Sequence, residues 1–148
     1  MSSQSRQVET RELIKALPGL NTDEWREWVE FADRDKEEAE AAFLRCSWAE
    51  VCFHAQQACE KLLKAFLLTK GIFMPIHDLG RLAEEAGRFL RELGGLKEAL
   101  GRLTIHYYAS RYPNAARRLG VAYDRGVAEA CLRTVRELWS VLRPLLGP

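Results

Sequence analysis

Apolar side chains recur every three or four positions through the middle of the chain, with polar residues between them. The apolar stripe of this segment comprises Trp48, Cys52, Ala55, Cys59, Leu62, Leu63 and Phe66. Its opposite face carries four polar residues spaced as i, i+3, i+4 and i+7, namely Gln57, Glu60, Lys61 and Lys64. The pattern predicts a central helix over 48–70 with a buried stripe, and it predicts that Glu60, Lys61 and Lys64 are much less buried.

One further long helix is predicted on each side of the central one. The first follows the polar sequence at 21–24, whose side-chain oxygens can cap a helix, and it runs to about Cys46. Gly71 is placed to end the central helix. The last helix is predicted to begin after the capping residue Asp124 and to end near Pro144.

Additional helices are predicted between the central and the last helix. One begins at the capping residue Asp78 and carries an apolar stripe to Leu93. Another runs from about Leu96 to Tyr107, and it is followed by a polar connection over 109–123. Because no segment alternates with the period of a strand, the sequence predicts an all-α fold. We expect an antiparallel up-and-down helical bundle of about four long helices plus short additions.

The domain organisation follows from the same pattern. Residues 21–148 are predicted to form the bundle, and residues 1–20 an N-terminal arm with a short helix from Glu9 to Leu17. The N-terminus has no apolar signal core, and no apolar run reaches the roughly 20 residues of a membrane span. We therefore expect a cytoplasmic protein that is not inserted into a membrane.

The charge of the chain is nearly balanced overall but uneven along its length. The formal net charge is +1, so there is no general attraction to nucleic acid or membranes. Residues 1–74 contain 10 basic and 13 acidic residues, whereas residues 75–148 contain 12 basic and 8 acidic residues. Arg outnumbers Lys in the second half, and a guanidinium can bond two phosphate oxygens at once. An anion-binding surface is therefore expected there, with a general compositional preference for Arg as the alternative explanation.

The cysteines and histidines form no recognisable ligand pattern in the sequence. None of the four cysteines belongs to a C-x-x-C pair, and Cys52 and Cys59 lie on the apolar stripe of the central helix. The three histidines are far apart along the chain. We therefore expect free thiols that pack in the core, no metal site and no cofactor.

Two segments that are separated in the chain together form one sequence pattern. Residues 55–65 read Ala-Gln-Gln-Ala-Cys-Glu-Lys-Leu-Leu-Lys-Ala, Gly71 and a His-Asp-Leu sequence at 77–79 follow, and 107–113 read Tyr-Tyr-Ala-Ser-Arg-Tyr-Pro. In order and spacing these segments resemble the HEPN family (higher eukaryotes and prokaryotes nucleotide-binding domain), from about Trp25 to Leu146. The matching positions are Gln57, Ala58, Glu60, Lys61, Lys64, Ala65, Gly71, His77, Leu79, Tyr107, Arg111, Tyr112 and Pro113.

The resemblance implies a helical domain with a site for a nucleotide or RNA. The residues it assigns to that site are Gln57, Lys61, Lys64, His77, Tyr107, Arg111 and Tyr112. The polar face of the central helix is either solvated or part of a groove that receives a phosphate. His77 either binds a ligand or anchors the loop before the next helix. Arg111 and its neighbouring tyrosines either stack on a base or pack against the bundle.

A candidate catalytic group lies at Arg102, His106 and Tyr108. Ribonuclease members of the family carry an Arg followed after four to six residues by a His, often with a Tyr two positions later. Here three residues separate Arg102 from His106, so the spacing is one residue short of that pattern. On one helix the two side chains would share a face, where His can transfer a proton and Arg can stabilise a phosphorane. The alternative is a surface Arg and a His that packs near the helix end.

Three functions are compatible with the sequence. The resemblance favours the helical partner of a separate minimal nucleotidyltransferase, in a toxin–antitoxin-like pair, with the capacity to bind nucleotide or RNA. One alternative is a metal-independent endoribonuclease that uses Arg102 and His106, and the other is a non-catalytic nucleotide-binding or structural helical dimer. A homodimer is expected because the family's sites are often shared between subunits and several helices are two-sided.

Overall fold

The computed structural model describes residues 22–147, a range that consists of helices and connecting segments without a β-strand. The α-helices are α1 (Trp25–Leu44), α2 (Trp48–Leu68), α3 (Leu79–Gly87), α4 (Lys97–Leu103), α5 (His106–Ala109), α6 (Pro113–Leu119) and α7 (Arg125–Leu142). Short 3-10 helices span Thr22–Glu24, Arg91–Leu96 and Arg143–Leu146. The all-α prediction is confirmed, while the predicted arm and its helix at Glu9–Leu17 lie outside the described residues. No helix in this range has the length and apolar character needed to cross a membrane.

Helix α2 is the centre of the bundle, as the sequence predicted. It packs against α1 and α7 along its length, and α3, α4 and α5 also contact it. Cys52, Cys59 and Leu62 on its apolar stripe are fully buried, and Phe66 is nearly so. The stripe is buried because helices from both halves of the chain cover it. This explains why the stripe stays apolar along the whole helix.

Two predicted caps, Asp78 and Asp124, act where the sequence placed them, whereas Glu24 at the N-cap of α1 makes no side-chain capping hydrogen bond. The Asp78 carboxylate accepts hydrogen bonds from two backbone N–H groups of the first turn of α3, at 3.0 and 3.3 Å. The Asp124 carboxylate accepts one from the Val127 N–H at 2.9 Å at the start of α7. Gly71 follows α2 with a φ of +73°, a conformation that glycine adopts without strain. These caps satisfy backbone groups that a helix end would otherwise leave without partners.

Helix α3 is shorter than predicted, because it ends at Gly87 and not near Leu93. Leu90 then takes an extended conformation, and the chain continues as the 3-10 helix Arg91–Leu96. This change of backbone direction turns Leu93 into the core and leaves Phe89 exposed, although a continuous helix would have put both on one face.

The predicted fourth helix is divided into α4 and α5 by a turn at Thr104 and Ile105. The Thr104 hydroxyl accepts a hydrogen bond from the Leu79 N–H at 2.9 Å, at the start of α3. The backbone N–H of Thr104 donates a hydrogen bond to Gly101 O, and the tight turn that results ends α4. The contact with α3 therefore holds Thr104 where the helix is interrupted, and Arg102 and His106 belong to different helices.

The segment 109–123, predicted to be an irregular connection, contains the helix α6. Tyr112 is extended, with φ −124° and ψ 115°, and Pro113 occupies the first position of the helix. Proline suits this position because an N–H group in the first turn of a helix would have no acceptor within the helix, so nothing is lost by its absence. Proline also disfavours a helical conformation in the preceding residue. The helix that follows Tyr112 was missed by the sequence analysis.

Truncation of the fully buried Leu62 should destabilise the protein strongly. We expect Leu62→Ala to lower the free energy of unfolding by about 2–5 kcal/mol, because it removes apolar contacts and leaves a cavity. Leu44→Ala is the matched control, since this leucine is 86% exposed and its loss should change stability by less than about 0.5 kcal/mol. Urea unfolding monitored by circular dichroism measures both, and equal effects would contradict the assignment of α2 as the core.

Candidate functional site

A buried polar cluster lies on the face of α2 that the sequence predicted to be exposed. Glu60 is 5% exposed and Lys64 is 4% exposed, so that prediction was wrong for both residues. The Glu60 carboxylate accepts hydrogen bonds from Lys64 Nζ at 3.1 Å and from Gln56 Nε2 at 3.1 Å, and it contacts His77 Nδ1 at 2.9 Å. We call Gln56, Glu60, Lys64 and His77 the Glu60 network. It is the kind of arrangement that a buried charge requires, because each polar atom keeps a partner.

The loop after α2 covers this network. Ile72 and Met74 in the loop are buried, and the Phe73 ring packs edge-on against Trp28 of α1 with centroids 5.4 Å apart. The Lys64 ammonium lies 5.5 Å from the centroid of Phe73 and 5.9 Å from that of Trp28. Lys64 is therefore paired with a carboxylate and enclosed by aromatic rings, which makes it a poor direct ligand for a phosphate.

His77 connects the buried network to the surface. Its Nδ1 contacts Glu60, and its ring stacks on Tyr107 with centroids 4.0 Å apart and an interplanar angle of 15°. The side chain is 42% exposed, so His77 both anchors the loop through a carboxylate and presents part of its ring to a ligand. The two interpretations of this histidine, as a loop anchor and as a ligand-binding group, are therefore compatible.

Arg111 lies at the outer end of this arrangement. Its guanidinium carbon is 5.4 Å from the ring centroids of Phe53, Tyr107 and Tyr112, and its Nη2 donates a hydrogen bond to the Tyr112 hydroxyl at 3.2 Å. We call Phe53, Tyr107, Arg111 and Tyr112 the arginine–aromatic surface. Residues 99–123 contain four arginines and neither Asp nor Glu, so the segment that carries this surface is uniformly basic.

Gln57 and Lys61 lie beside the network but are already engaged. Gln57 Nε2 donates to Gln56 Oε1 at 2.7 Å, and Lys61 Nζ donates to the Asp35 carboxylate on α1 at 2.5 Å. His54 Nδ1 contacts the same carboxylate at 3.0 Å. Burial alone would raise the pKa of Asp35, but the hydrogen bonds with His54 and Lys61 hold it below its usual value.

The structure separates the three residues of the candidate catalytic group. Arg102 on α4 is exposed, whereas His106 on α5 is 6% exposed and its Nδ1 lies 2.7 Å from the Tyr123 hydroxyl. Arg102 and His106 do line one cavity of about 760 Å³. Tyr108 lies elsewhere, in a groove with Tyr112 and Leu119. The shared helix face expected from the i, i+4 spacing is therefore absent, because α4 ends before His106.

His106 instead belongs to a buried cluster with Cys52 and Cys131, which we call the thiol–imidazole cluster. The potential ligand atoms of these residues all lie within 4.8 Å of one another, and the two sulfurs are 2.8 Å apart. The hydrogen bond with Cys52, together with one to His106, lowers the pKa of the Cys131 thiol below its usual range. The same sulfur contact raises the pKa of Cys52 above its usual range. Cysteines 52, 59 and 131 are buried as predicted, but Cys46 is exposed in the turn after α1.

Two features were missed from the sequence for different reasons. The sequence did contain a signal for the loop that covers Glu60. The loop sequence Ile72-Phe73-Met74-Pro75-Ile76 is strongly apolar, and an apolar loop is expected to pack against the rest of the protein. The thiol–imidazole cluster had none, because Cys52 and Cys131 are 79 positions apart and only the packing of α2 on α7 brings them together.

Neutralising Glu60 should destabilise the protein more than neutralising an exposed glutamate. Glu60→Gln leaves the Lys64 ammonium buried without its counter-charge, and we expect a loss of about 3–5 kcal/mol in the free energy of unfolding. Glu50→Gln is the control, because its pair with Arg45 is exposed and should contribute less than about 1 kcal/mol. Urea unfolding at neutral pH measures the difference, and a loss at Glu60 no larger than at Glu50 would contradict the role of the network.

Comparison with known proteins agrees with this architecture. No curated protein matches the chain significantly. Among solved structures, TT1696 from Thermus thermophilus is similar with a TM-score of 0.72 and 28% identity, over 82% of this chain and 97% of that one. ST0689, an archaeal HEPN homologue, shares the fold with a TM-score of 0.65 and 22% identity, over 83% of this chain and 98% of that one. The HEPN domain family matches residues 25–145, which is most of the length of this chain. This chain therefore belongs to the HEPN family.

Proposed function

We propose that this HEPN protein binds a nucleotide or single-stranded RNA at the arginine–aromatic surface, and that it does so without cleaving it. The observation that carries the proposal is the position of Arg111, an exposed guanidinium held among three aromatic rings within a basic segment. A guanidinium can bond two phosphate oxygens, and exposed tyrosines offer a face on which a base can stack. Tyr112 is 46% exposed, so its ring is accessible.

The buried residues support this surface from below. Glu60 holds His77, His77 stacks on Tyr107, and Tyr107 lies under Arg111. Gln57, Lys61 and Lys64, which the resemblance assigns to the site, are already hydrogen-bonded to other side chains. We therefore assign contact with the ligand to Arg111, Tyr112 and the exposed edge of His77, and a positioning role to Lys64 and Glu60.

The wider proposal is that this chain is the helical partner of a separate minimal nucleotidyltransferase, in a toxin–antitoxin-like pair. Its support is the resemblance of residues 55–65 and 107–113 to the HEPN pattern. A binding surface that lacks a catalytic group of its own fits such a division of labour. The identity of the neighbouring gene separates this role from that of a nucleotide-binding protein that acts alone.

The ribonuclease alternative has less support from the geometry. A general acid–base histidine must reach its substrate, but His106 is buried and contacts Tyr123 through Nδ1. Arg102 lies on a different helix, and Tyr108 lines a different groove. The function would have to be reassigned if the protein cleaved RNA in the presence of EDTA and lost that activity in a folded His106→Ala variant that still binds RNA.

Removal of Arg111 should weaken binding to single-stranded RNA. With a short labelled oligoadenylate in fluorescence anisotropy, we expect Arg111→Ala to raise Kd roughly tenfold or more, because the variant cannot form charge-assisted bonds to phosphate. The slope of log K against log salt should become shallower by about 0.7, because one phosphate is no longer neutralised. Arg111→Lys should recover part of the affinity, since it keeps the charge but not the planar fork.

Arg26→Ala is the matched control for that experiment. Arg26 is also exposed and also lies over an aromatic ring, 4.9 Å from the centroid of Trp25 at the start of α1. It should leave both Kd and the salt slope unchanged. Equal losses of affinity in the Arg26 and Arg111 variants would show that the RNA responds only to total charge, which contradicts a site at the arginine–aromatic surface.

The second part of the proposal is a homodimer formed through the exposed apolar residues Tyr108 and Leu119. Both line one groove and are about half exposed, and Tyr112 is left to the ligand. Light scattering at micromolar concentration should give twice the 16.9 kDa of one chain. Leu119→Glu should shift the mass to that of a monomer, whereas Leu145→Glu, at a leucine of similar exposure, should not. A monomeric wild-type protein would overturn the proposal.

A further inference from the structure

The thiol–imidazole cluster takes no part in the proposed nucleotide site, although it contains three side chains of unusual chemistry. Cys52 comes from α2, His106 from α5 and Cys131 from α7, and all three are buried. Their ligand atoms lie within 4.8 Å of one another. Each comes from a different helix in the core of the domain, so the bundle itself sets the distances between them.

We propose that Cys52, His106 and Cys131 bind a thiophilic metal ion, of which Zn²⁺ is the representative. Thiolate and imidazole are the preferred ligands of Zn²⁺, with bonds of about 2.3 Å to sulfur and 2.0–2.1 Å to nitrogen. Such bonds place ligand atoms less than about 4 Å apart, which lies within the span of the cluster. The sulfurs, now 2.8 Å apart, separate by about 1 Å to admit the ion.

The charge balance favours a divalent ion in this buried position. Both cysteines bind as thiolates, so two thiolates and one divalent cation form a neutral unit with a neutral imidazole. A neutral unit avoids the large cost of burying a net charge. A divalent ion can therefore be held by the two core cysteines without leaving a net charge in the core.

Tyr123 supplies the supporting contact that metal-bound histidines generally have. Its hydroxyl lies 2.7 Å from His106 Nδ1, which fixes the ring and leaves Nε2 as the nitrogen available to the ion. The cluster therefore consists of three ligands and an outer hydrogen-bonding partner.

The fourth coordination position faces a cavity. His106 and Cys131 line the cavity of about 760 Å³, along with Leu103, Val127 and Arg102. Cys52 does not line the cavity and is fully buried behind it. Water or a small anion can enter from this side to complete a tetrahedral site, and the ion can enter by the same route.

Cobalt binding tests the proposal, because Co²⁺ reports its ligands by absorption. The reduced, full-length protein is titrated with Co²⁺ in the absence of oxygen and then with Zn²⁺. We expect one cobalt ion per chain, sulfur-to-cobalt charge-transfer bands, visible bands of tetrahedral intensity and their loss when Zn²⁺ is added. The absence of charge-transfer bands would overturn the proposal.

Variants identify the ligands. Cys52→Ser and Cys131→Ser, which keep the side-chain shape, should each abolish or strongly reduce the charge-transfer bands. The controls are Cys46→Ser, at an exposed thiol, and Cys59→Ser, at a buried thiol of the same helix as Cys52. Both should retain the bands. Bands that persist in the Cys52 and Cys131 variants, or that vanish in the Cys46 variant, would show that the ion binds elsewhere.

A milder variant guards against loss of the fold. Tyr123→Phe removes only the hydroxyl that contacts His106, and it should weaken metal affinity by roughly 10–100-fold while circular dichroism stays unchanged. The rival interpretation of the short sulfur contact is a redox pair. If the reduced protein binds no Co²⁺ but a mild thiol oxidant such as diamide joins Cys52 to Cys131 and lowers the protein mass by two hydrogens, the metal proposal is wrong.

Discussion

The buried carboxylate of Glu60 is the constraint on which the rest of the candidate site depends. A carboxylate that leaves water must find equivalent partners inside the protein. Glu60 finds Gln56 and Lys64 on its own helix, one turn away on each side, and His77 on the loop that follows. The first two contacts follow from the helical spacing of four residues. The contact with His77 forms only when residues 72–78 cross back over α2. The charge on Glu60 therefore fixes the path of that loop.

The consequence of this buried pair is orientation more than stability. Replacement of a buried ion pair by apolar side chains is often neutral or stabilising, so the pair needs another explanation. Here each contact places the next group outward, from Glu60 to His77, then to Tyr107 and finally to Arg111. A surface arginine alone would sample many rotamers. Among three rings at 5.4 Å, its guanidinium is confined to a position from which it can meet a phosphate.

Local signals in the sequence were sufficient for the starts of α3 and α7, and long-range packing decided what the sequence could not. Asp78 and Asp124 cap helices because their own carboxylates reach backbone groups two or three residues away. The burial of Glu60 depends instead on the loop that folds over it. The spacing of polar residues on α2 does not predict that this loop covers them. The break at Thr104 depended on a partner at Leu79, 25 positions earlier. Periodicity therefore described the apolar stripe of α2 correctly but could not tell a solvated polar face from a covered one.

The short helix α5 joins the two regions that carry chemistry. His106 and Tyr107 are adjacent, and consecutive residues on a helix point about 100° apart, so His106 faces Tyr123 and Cys131 while Tyr107 faces His77. Four residues of helix have too few internal hydrogen bonds to hold a position, so these contacts must hold α5 in place. Whatever fixes His106 therefore also fixes the ring beneath Arg111. It follows that substitution of His106 would disturb the proposed nucleotide binding even if this histidine transfers no proton. Loss of an activity at His106 alone is consequently no proof of catalysis unless binding at Arg111 is shown to be intact.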